Sequence, residues 1–336
     1  MRQEEAKGLD PGTLDDEVMP AQKPRRVVVA LGGNAITRPG DDGSVRSDYL
    51  NLNRSLSHVV DLLRHGYEVI LTHGNGPQVG NQMIRVELAR GVAPDLPLDV
   101  VVADLQGGLG YMIERVLRNQ LAEAEMQRPL CALLTLIEVD PEDPALEDPS
   151  KFVGPFFPQD EVETLRRDRG WLMKPDGDRG WRRVVPSPMP ISVIECGVIK
   201  RLVEDKVLVI VTGGGGVPVA RTESGRLRGV EAVVDKDLAS EVLAREIDAP
   251  ELFILTGVKQ VAIHFGKPEQ RNLDKITASE ARRYLAEGHF PPGSMGPKVR
   301  AACRFVENGG ERALITDIFT LEDALEGRTG TWVLPD

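Results

Sequence analysis

The stretch RRVVVALGGNAITRPG, Arg25 to Gly40, decides the fold. Val27 to Leu31 is a short apolar run closed off by glycine, and such a run reads as a strand. It stops at Gly32-Gly33-Asn34, where phosphate-binding loops commonly follow a strand. No lysine follows. If this loop receives a phosphoryl group, another part of the chain must bring the positive charge that phosphoryl chemistry needs.

Working outward, Leu56, Val59, Val60 and Leu63 recur at i, i+3, i+4 and i+7, which predicts a helix over 47–65 with one buried face. Glu68 to Leu71 predicts a second strand, running into THGNGPQVG (72–80) and a helical pattern from Gln78 towards Arg90. The segment 99–127 reads as helix, and LCALLTLIEV (130–139) as one buried strand. The second half restarts with strand Val207 to Val211, then TGGGGVPVA (212–220), then a helix after Asp235. Leu252 to Leu255 and Arg312 to Ile315 read as further strands. TASE at 277–280 has capping-box spacing. In GPKVRAACRFVE, Val299, Ala302, Cys303 and Val306 share one helical face behind Pro297, a residue favoured at the first helical position.

Strands alternating with helices predict an α/β fold with a largely parallel sheet, whose ligands bind beyond the strand carboxyl ends. From Asp140 to Pro190 the pattern gives way to Pro, Asp, Gly and Trp, over a length that exceeds an ordinary connector, so 140–190 is expected to form a small lid subdomain. Residues 1–24 carry no hydrophobic h-region and read as a flexible acidic extension, which leaves 25–336 as the catalytic domain.

The 41 basic and 52 acidic residues give a formal charge of −11, which opposes nonspecific binding to nucleic acid or anionic membranes. No apolar run approaches the roughly 18 residues of a membrane span. A cytoplasmic enzyme is expected. Cys131, Cys196 and Cys303 are odd in number and widely spaced, so buried thiols are expected, with neither a disulfide framework nor a zinc site.

Glycine is needed where backbone N–H groups must approach an anion closely, and a helix N-terminus behind the turn adds donors. Gly32-Gly33-Asn34, Gly74-Asn75-Gly76 and Gly213 to Gly216 all fit. GxxxxGK[ST] is absent, as is a GxGxxG opening the first βα unit, and so is the protein-kinase motif set, which disfavours those nucleotide-binding classes. The missing cation has two candidates. Lys236 lies between Asp235 and Asp237 at a helix start, and Lys298 lies in the first turn of another helix, where its charge opposes the dipole unless an anion is near. Only 11 of the 41 basic residues are lysine. A compact ammonium can follow a moving phosphoryl group, where arginine imposes a planar fork. His73 beside a glycine turn reads as a structural hydrogen-bonding residue.

Taken together, VVALGGNAI, THGNGPQVG, QGGLGYM, GWRRVVPSP, GGGGVPV, VEAVVDKDLAS, FGKPEQ and GSMGPK resemble carbamate kinase, in order, from about Arg26 to Thr331. The resemblance implies the amino-acid-kinase fold, a three-layer α/β/α sandwich, in a homodimer with a protruding lid. It implies reversible phosphoryl transfer between carbamoyl phosphate and ADP, giving ATP and carbamate, with Mg²⁺ accompanying the nucleotide and no protein metal ligand assigned. By matching motif, Gly32, Gly33, Asn34, Gly74 and Asn75 line the transfer site, and Lys236 and Lys298 neutralise the migrating charge. Asp237 holds the two lysines in register. Gly214, Gly215, Gly216 and Met295 lie on the nucleotide side, and Lys151 matches a lid lysine. LTGVKQ departs from many relatives of the wider fold by placing Gly257 and Lys259 where an aspartate is common. Two other readings stay open at this point. One is a kinase of the same fold acting on acetylglutamate, aspartate or a nucleoside monophosphate, and the other is a noncatalytic nucleotide-binding protein.

Overall fold

The computed structural model describes residues 25–38 and 40–336, so the extension expected over 1–24 lies outside the described residues. Strand β1 (Arg25–Leu31) leads to helix α1 (Val45–Arg64), β2 (Tyr67–His73), α2 (Gly76–Leu88) and α3 (Leu98–Glu123). Next come β3 (Leu130–Ala132), β4 (Leu136–Val139), β5 (Lys151–Phe157), α4 (Gln159–Arg169), β6 (Met173–Pro175), β7 (Trp181–Val185), β8 (Pro190–Val193) and α5 (Cys196–Glu204). The chain continues through β9 (Leu208–Ile210), β10 (Val217–Arg221), β11 (Leu227–Gly229), α6 (Lys236–Glu246) and β12 (Glu251–Thr256). It ends with β13 (Ala262–Ile263), β14 (Arg271–Asn272), β15 (Lys275–Thr277), α7 (Ala278–Ala286), α8 (Met295–Glu307), β16 (Arg312–Asp317), α9 (Leu321–Leu325) and β17 (Thr331–Leu334).

Eight strands form the main sheet in the order β15-β17-β16-β12-β1-β2-β9-β3, parallel at every pairing except β16 with β17. The alternation of side chains along β1 sends Val27, Val29 and Leu31 to one face and Val28 to the other. Val27, Val29 and Leu31 pack with α1, α3 and α9, while Val28 packs with α5, α6, α7 and α8. This is the expected three-layer α/β/α sandwich. Helix α1 shows how the sequence sets one layer. Ser44 caps it by accepting from Ser47 N, and Leu52, Leu56, Val59, Val60, Leu62 and Leu63 are buried along its inner face. Each such side chain contributes about 1.5–3 kcal/mol of burial. Among the described residues, no helix is long and apolar enough to cross a membrane.

Three local expectations change, and the stretch 140–190 gains detail. LCALLTLIEV is not one strand. Leu133 N makes a last main-sheet bond to Ile210 O, and three residues on, Leu136 to Val139 belong to a second sheet, β11-β10-β4-β8. Buried Gln106 on α3 causes the break, since its amide donates to Thr135 O and accepts from Thr135 N and so takes the place of a ladder partner. The stretch 140–190 has regular structure of its own, namely the sheet β5-β7-β6 and α4, packed around Val162, Trp171 and Met173, whereas β8 at its end joins the second sheet. Pro297 is the third residue of α8. Of the three cysteines only Cys303 is buried, while Cys131 and Cys196 are partly buried.

Candidate functional site

Adjacent strands β12, β1, β2 and β9 run parallel, so the turns after them share one carboxyl edge. After β1, Gly32 N donates to Leu255 O at 2.9 Å, and a Cβ on Gly32 would lie 2.5 Å from that oxygen. Only glycine fits there. After β2, a Cβ on Gly74 would lie 3.6 Å from Gly33 N and 3.3 Å from Lys236 Cδ, so the first two turns and the lysine stem are in mutual contact range. After β12, a Cβ on Gly257 would lie 2.2 Å from Asn34 Nδ2, which gives a physical reason for the departure at LTGVKQ. A side chain there would displace Asn34.

The turn after β9 is the most constrained. Gly214, Gly215 and Gly216 all have positive φ (66°, 96° and 85°), and β-branched Thr212 has φ 47°, an uncommon and costly conformation. Thr212 Oγ1 is buried with no hydrogen-bond partner. A Cβ on Gly214 would fall 2.1 Å from Asn75 Nδ2, and one on Gly215 would fall 2.3 Å from Val234 O. Gly214 therefore packs on Asn75, Gly215 on Val234 and Gly216 on Ile137. Asn75 is itself buried, and its Nδ2 donor is unpartnered. An unpaired buried donor is costly unless a ligand meets it.

Two helix N-termini bring the charge. Asp235 caps α6, accepting from Asp237 N at 3.0 Å and Leu238 N at 3.5 Å, which fixes Lys236 and Asp237 as the first helical residues. Asp237, only 2% exposed, accepts from Lys236 Nζ at 2.5 Å on Oδ1 and from Lys298 Nζ at 2.9 Å on Oδ2. One carboxylate thus holds two ammonium groups, one from each helix. Burial opposes the charge on Asp237, but Lys236 and Lys298 outweigh it and hold its pKa below the usual range. Burial is the largest influence on Lys236 and, with the repulsion of Lys298, lowers its pKa against the pull of Asp237 and Asp235. At Lys298, burial is overcome by the charge and hydrogen bond of Asp237, with help from Asp235, and the pKa rises. The opposite directions follow from environment, because Lys298 is the more exposed of the two.

Lys298 and Met295 line a cavity of about 430 Å³ together with Gly32, Gly33, Asn34 and the apolar groups of Phe265 and Phe290. The lining thus joins a lysine ammonium to apolar groups, a combination that suits a nucleotide. His73 is buried, with Nδ1 bonded to Gly74 O at 3.1 Å, and burial lowers its pKa to about 4. Its surroundings are those of a neutral structural imidazole. Lys151 meets Asp235 at 2.8 Å, beside the two-lysine cluster.

The structure thus brings the glycine turns, Asn75, Lys236, Asp237, Lys298 and Lys151 to one crevice. Thr212 went unnoticed in the sequence because a positive φ is legible only at glycine. The pairing of Asp235 was hidden too, because it depends on Lys151, which is 84 residues away.

A parallel α/β/α sandwich whose carboxyl edge joins anion-binding turns to paired lysines defines an enzyme that transfers phosphoryl groups by positioning and electrostatics. The profile of the amino acid kinase family matches residues 25–317. The chain belongs to the carbamate kinases of that family. It is 46% identical to carbamate kinase of Pyrococcus furiosus, covering 93% of this chain and 99% of that one. It is 48% identical to the carbamate kinase of Thermococcus kodakarensis, over 92% of this chain and 99% of that one. Among solved structures, carbamate kinase from Giardia lamblia bound to AMP-PNP superposes with TM-score 0.86 at 40% identity, over 93% of this chain and 99% of that one.

Proposed function

We propose that this chain transfers a phosphoryl group reversibly between carbamoyl phosphate and ADP, giving ATP and carbamate, which decomposes to ammonia and carbon dioxide. The observation that carries the reading is the Lys236–Asp237–Lys298 bridge set against Gly33 and Gly74. In-line transfer through a loose transition state spreads charge over the equatorial oxygens of the phosphoryl group, and two ammonium groups held by one carboxylate can follow that charge without a protein nucleophile. Lys236, over Gly74, faces the carbamoyl phosphate side, and Lys298, in the cavity with Met295, faces the ADP side. Asn75 offers its unpartnered amide to the carbamoyl end, and the turn at Gly214 to Gly216 holds that amide in place.

The unit over 140–190 acts as the lid, with Lys151 reaching the bound phosphate. Among the described residues, no cluster of His, Cys, Asp or Glu could hold a metal, and both Asp237 oxygens are engaged by lysines. Mg²⁺ would come with the nucleotide, held by its phosphates, where it would neutralise charge on their oxygens. A homodimer would form at the edge strand β3, beside which Tyr111 and Leu134 are exposed. Light scattering tests that part, with twice the chain mass expected for the native protein and a monomer for Leu134→Glu. The function itself is tested by coupled ATP assay with carbamoyl phosphate and ADP, run beside ATP-consuming assays with acetylglutamate, aspartate and UMP. Turnover is expected only in the first.

A further inference from the structure

Lys151, the first residue of β5, extends from the small unit to the helix that carries the charge cluster, with Nζ 2.8 Å from Asp235 Oδ2. The other oxygen of the same carboxylate, Oδ1, caps α6. Asp235 thus has two tasks, one per oxygen. Capping alone does not require a charge, since Asn and Ser cap helices about as well as Asp. Its charge supports the ammonium groups of Lys236 and Lys298, but the ion pair it forms directly is with Lys151. The rest of the unit is held differently. Val153 and Val185 pack against Val79 and Met83 of α2, Arg169 pairs with Glu87, and Gly154 lies where a Cβ on Gly80 would be 3.5 Å from its Cα. Those contacts fix the unit on α2 and leave the direction of Lys151 to its own partner.

We infer that Asp235 is a positioning residue, whose carboxylate holds Lys151 beside the transfer site before substrate arrives and yields the ammonium to the incoming phosphate. The Lys151 side chain is 35% exposed, so the pair is partly solvated and weak enough to be exchanged for a doubly charged anion. The inference rests on the carbamoyl phosphate reading for the identity of that anion. The tie itself does not.

The experiment compares Asp235→Asn, Asp235→Ser, Lys151→Met and the double variant Asp235→Asn/Lys151→Met in the full chain. Both Asp235 variants keep a capping side chain, and melting temperatures confirm that the fold survives. Without substrate, amide hydrogen exchange over 151–157 is expected to rise in both Asp235 variants to the level of Lys151→Met. With substrate, KM for carbamoyl phosphate is expected to rise about tenfold in Asp235→Asn, the size of one charged hydrogen bond, while KM for ADP stays put. In the Lys151→Met background the second substitution should add nothing. Exchange and KM unchanged in Asp235→Asn, or a full-sized additional effect in the Lys151→Met background, would overturn the inference. Failure of the native enzyme to make ATP would instead remove the functional reading, and the exchange comparison would still decide the tie.

Discussion

At the scale of single residues, the site concentrates charge where burial makes it expensive. Asp237 is held between two ammonium groups, so removing Lys236 leaves it still paired with Lys298 and the fold should survive. Lys236→Ala is therefore expected to lower kcat by about a hundred- to a thousandfold, the usual loss for one electrostatic donor, with an unchanged melting temperature. Lys298→Arg keeps the charge but replaces a compact group with a planar fork, and a loss of turnover in a stable protein would show that shape counts. His73 gives a pH test. Its folded pKa of about 4 lies below the ordinary 6.5, so between these values the unfolded chain takes up a proton that the folded chain refuses. Stability from this group is complete above pH 6.5 and falls as pH drops towards 4, by about 3 kcal/mol in all. His73→Asn, which retains a donor for Gly74 O, should flatten that part of the denaturation profile measured with urea.

At the scale of elements, the turns decide more than the helices do. Gly214→Ala would add a Cβ on top of Asn75 Nδ2 at a residue with φ 66°, so carbamoyl phosphate use should be lost even where ADP still binds by calorimetry. A capping change is milder. Thr277 and Glu280 form the reciprocal capping box of α7, and Thr277→Ala should cost about 1 kcal/mol in urea denaturation without touching kinetics. Sequence periodicity exposed these elements well where it was local. The β1 run, the α1 stripe and the TASE cap each depend on neighbours within a turn or a pleat. The break in LCALLTLIEV was illegible because it depends on Gln106 from another helix, and the internal sheet of 140–190 because short strands paired around Trp171 leave no periodicity. The three glycine turns were visible, but the packing of Gly214 on Asn75 and of Gly215 on Val234 was not, because both partners are distant in sequence.

At the scale of the whole molecule, parallel strand order is what turns distant sequence into one site. Turns at Gly32, Gly74 and Gly213 become neighbours because β1, β2 and β9 are consecutive in the sheet, and α6 and α8 on one face then aim their N-termini at that edge. The central claim is that this assembly moves a phosphoryl group from carbamoyl phosphate to ADP. The most direct measurement is ATP formation from the two substrates with Mg²⁺, by native protein and by Lys236→Ala side by side. The account predicts rapid ATP synthesis by the first and a loss of at least about a hundredfold in the second. Equal rates from the two, or no ATP from native protein, would contradict it.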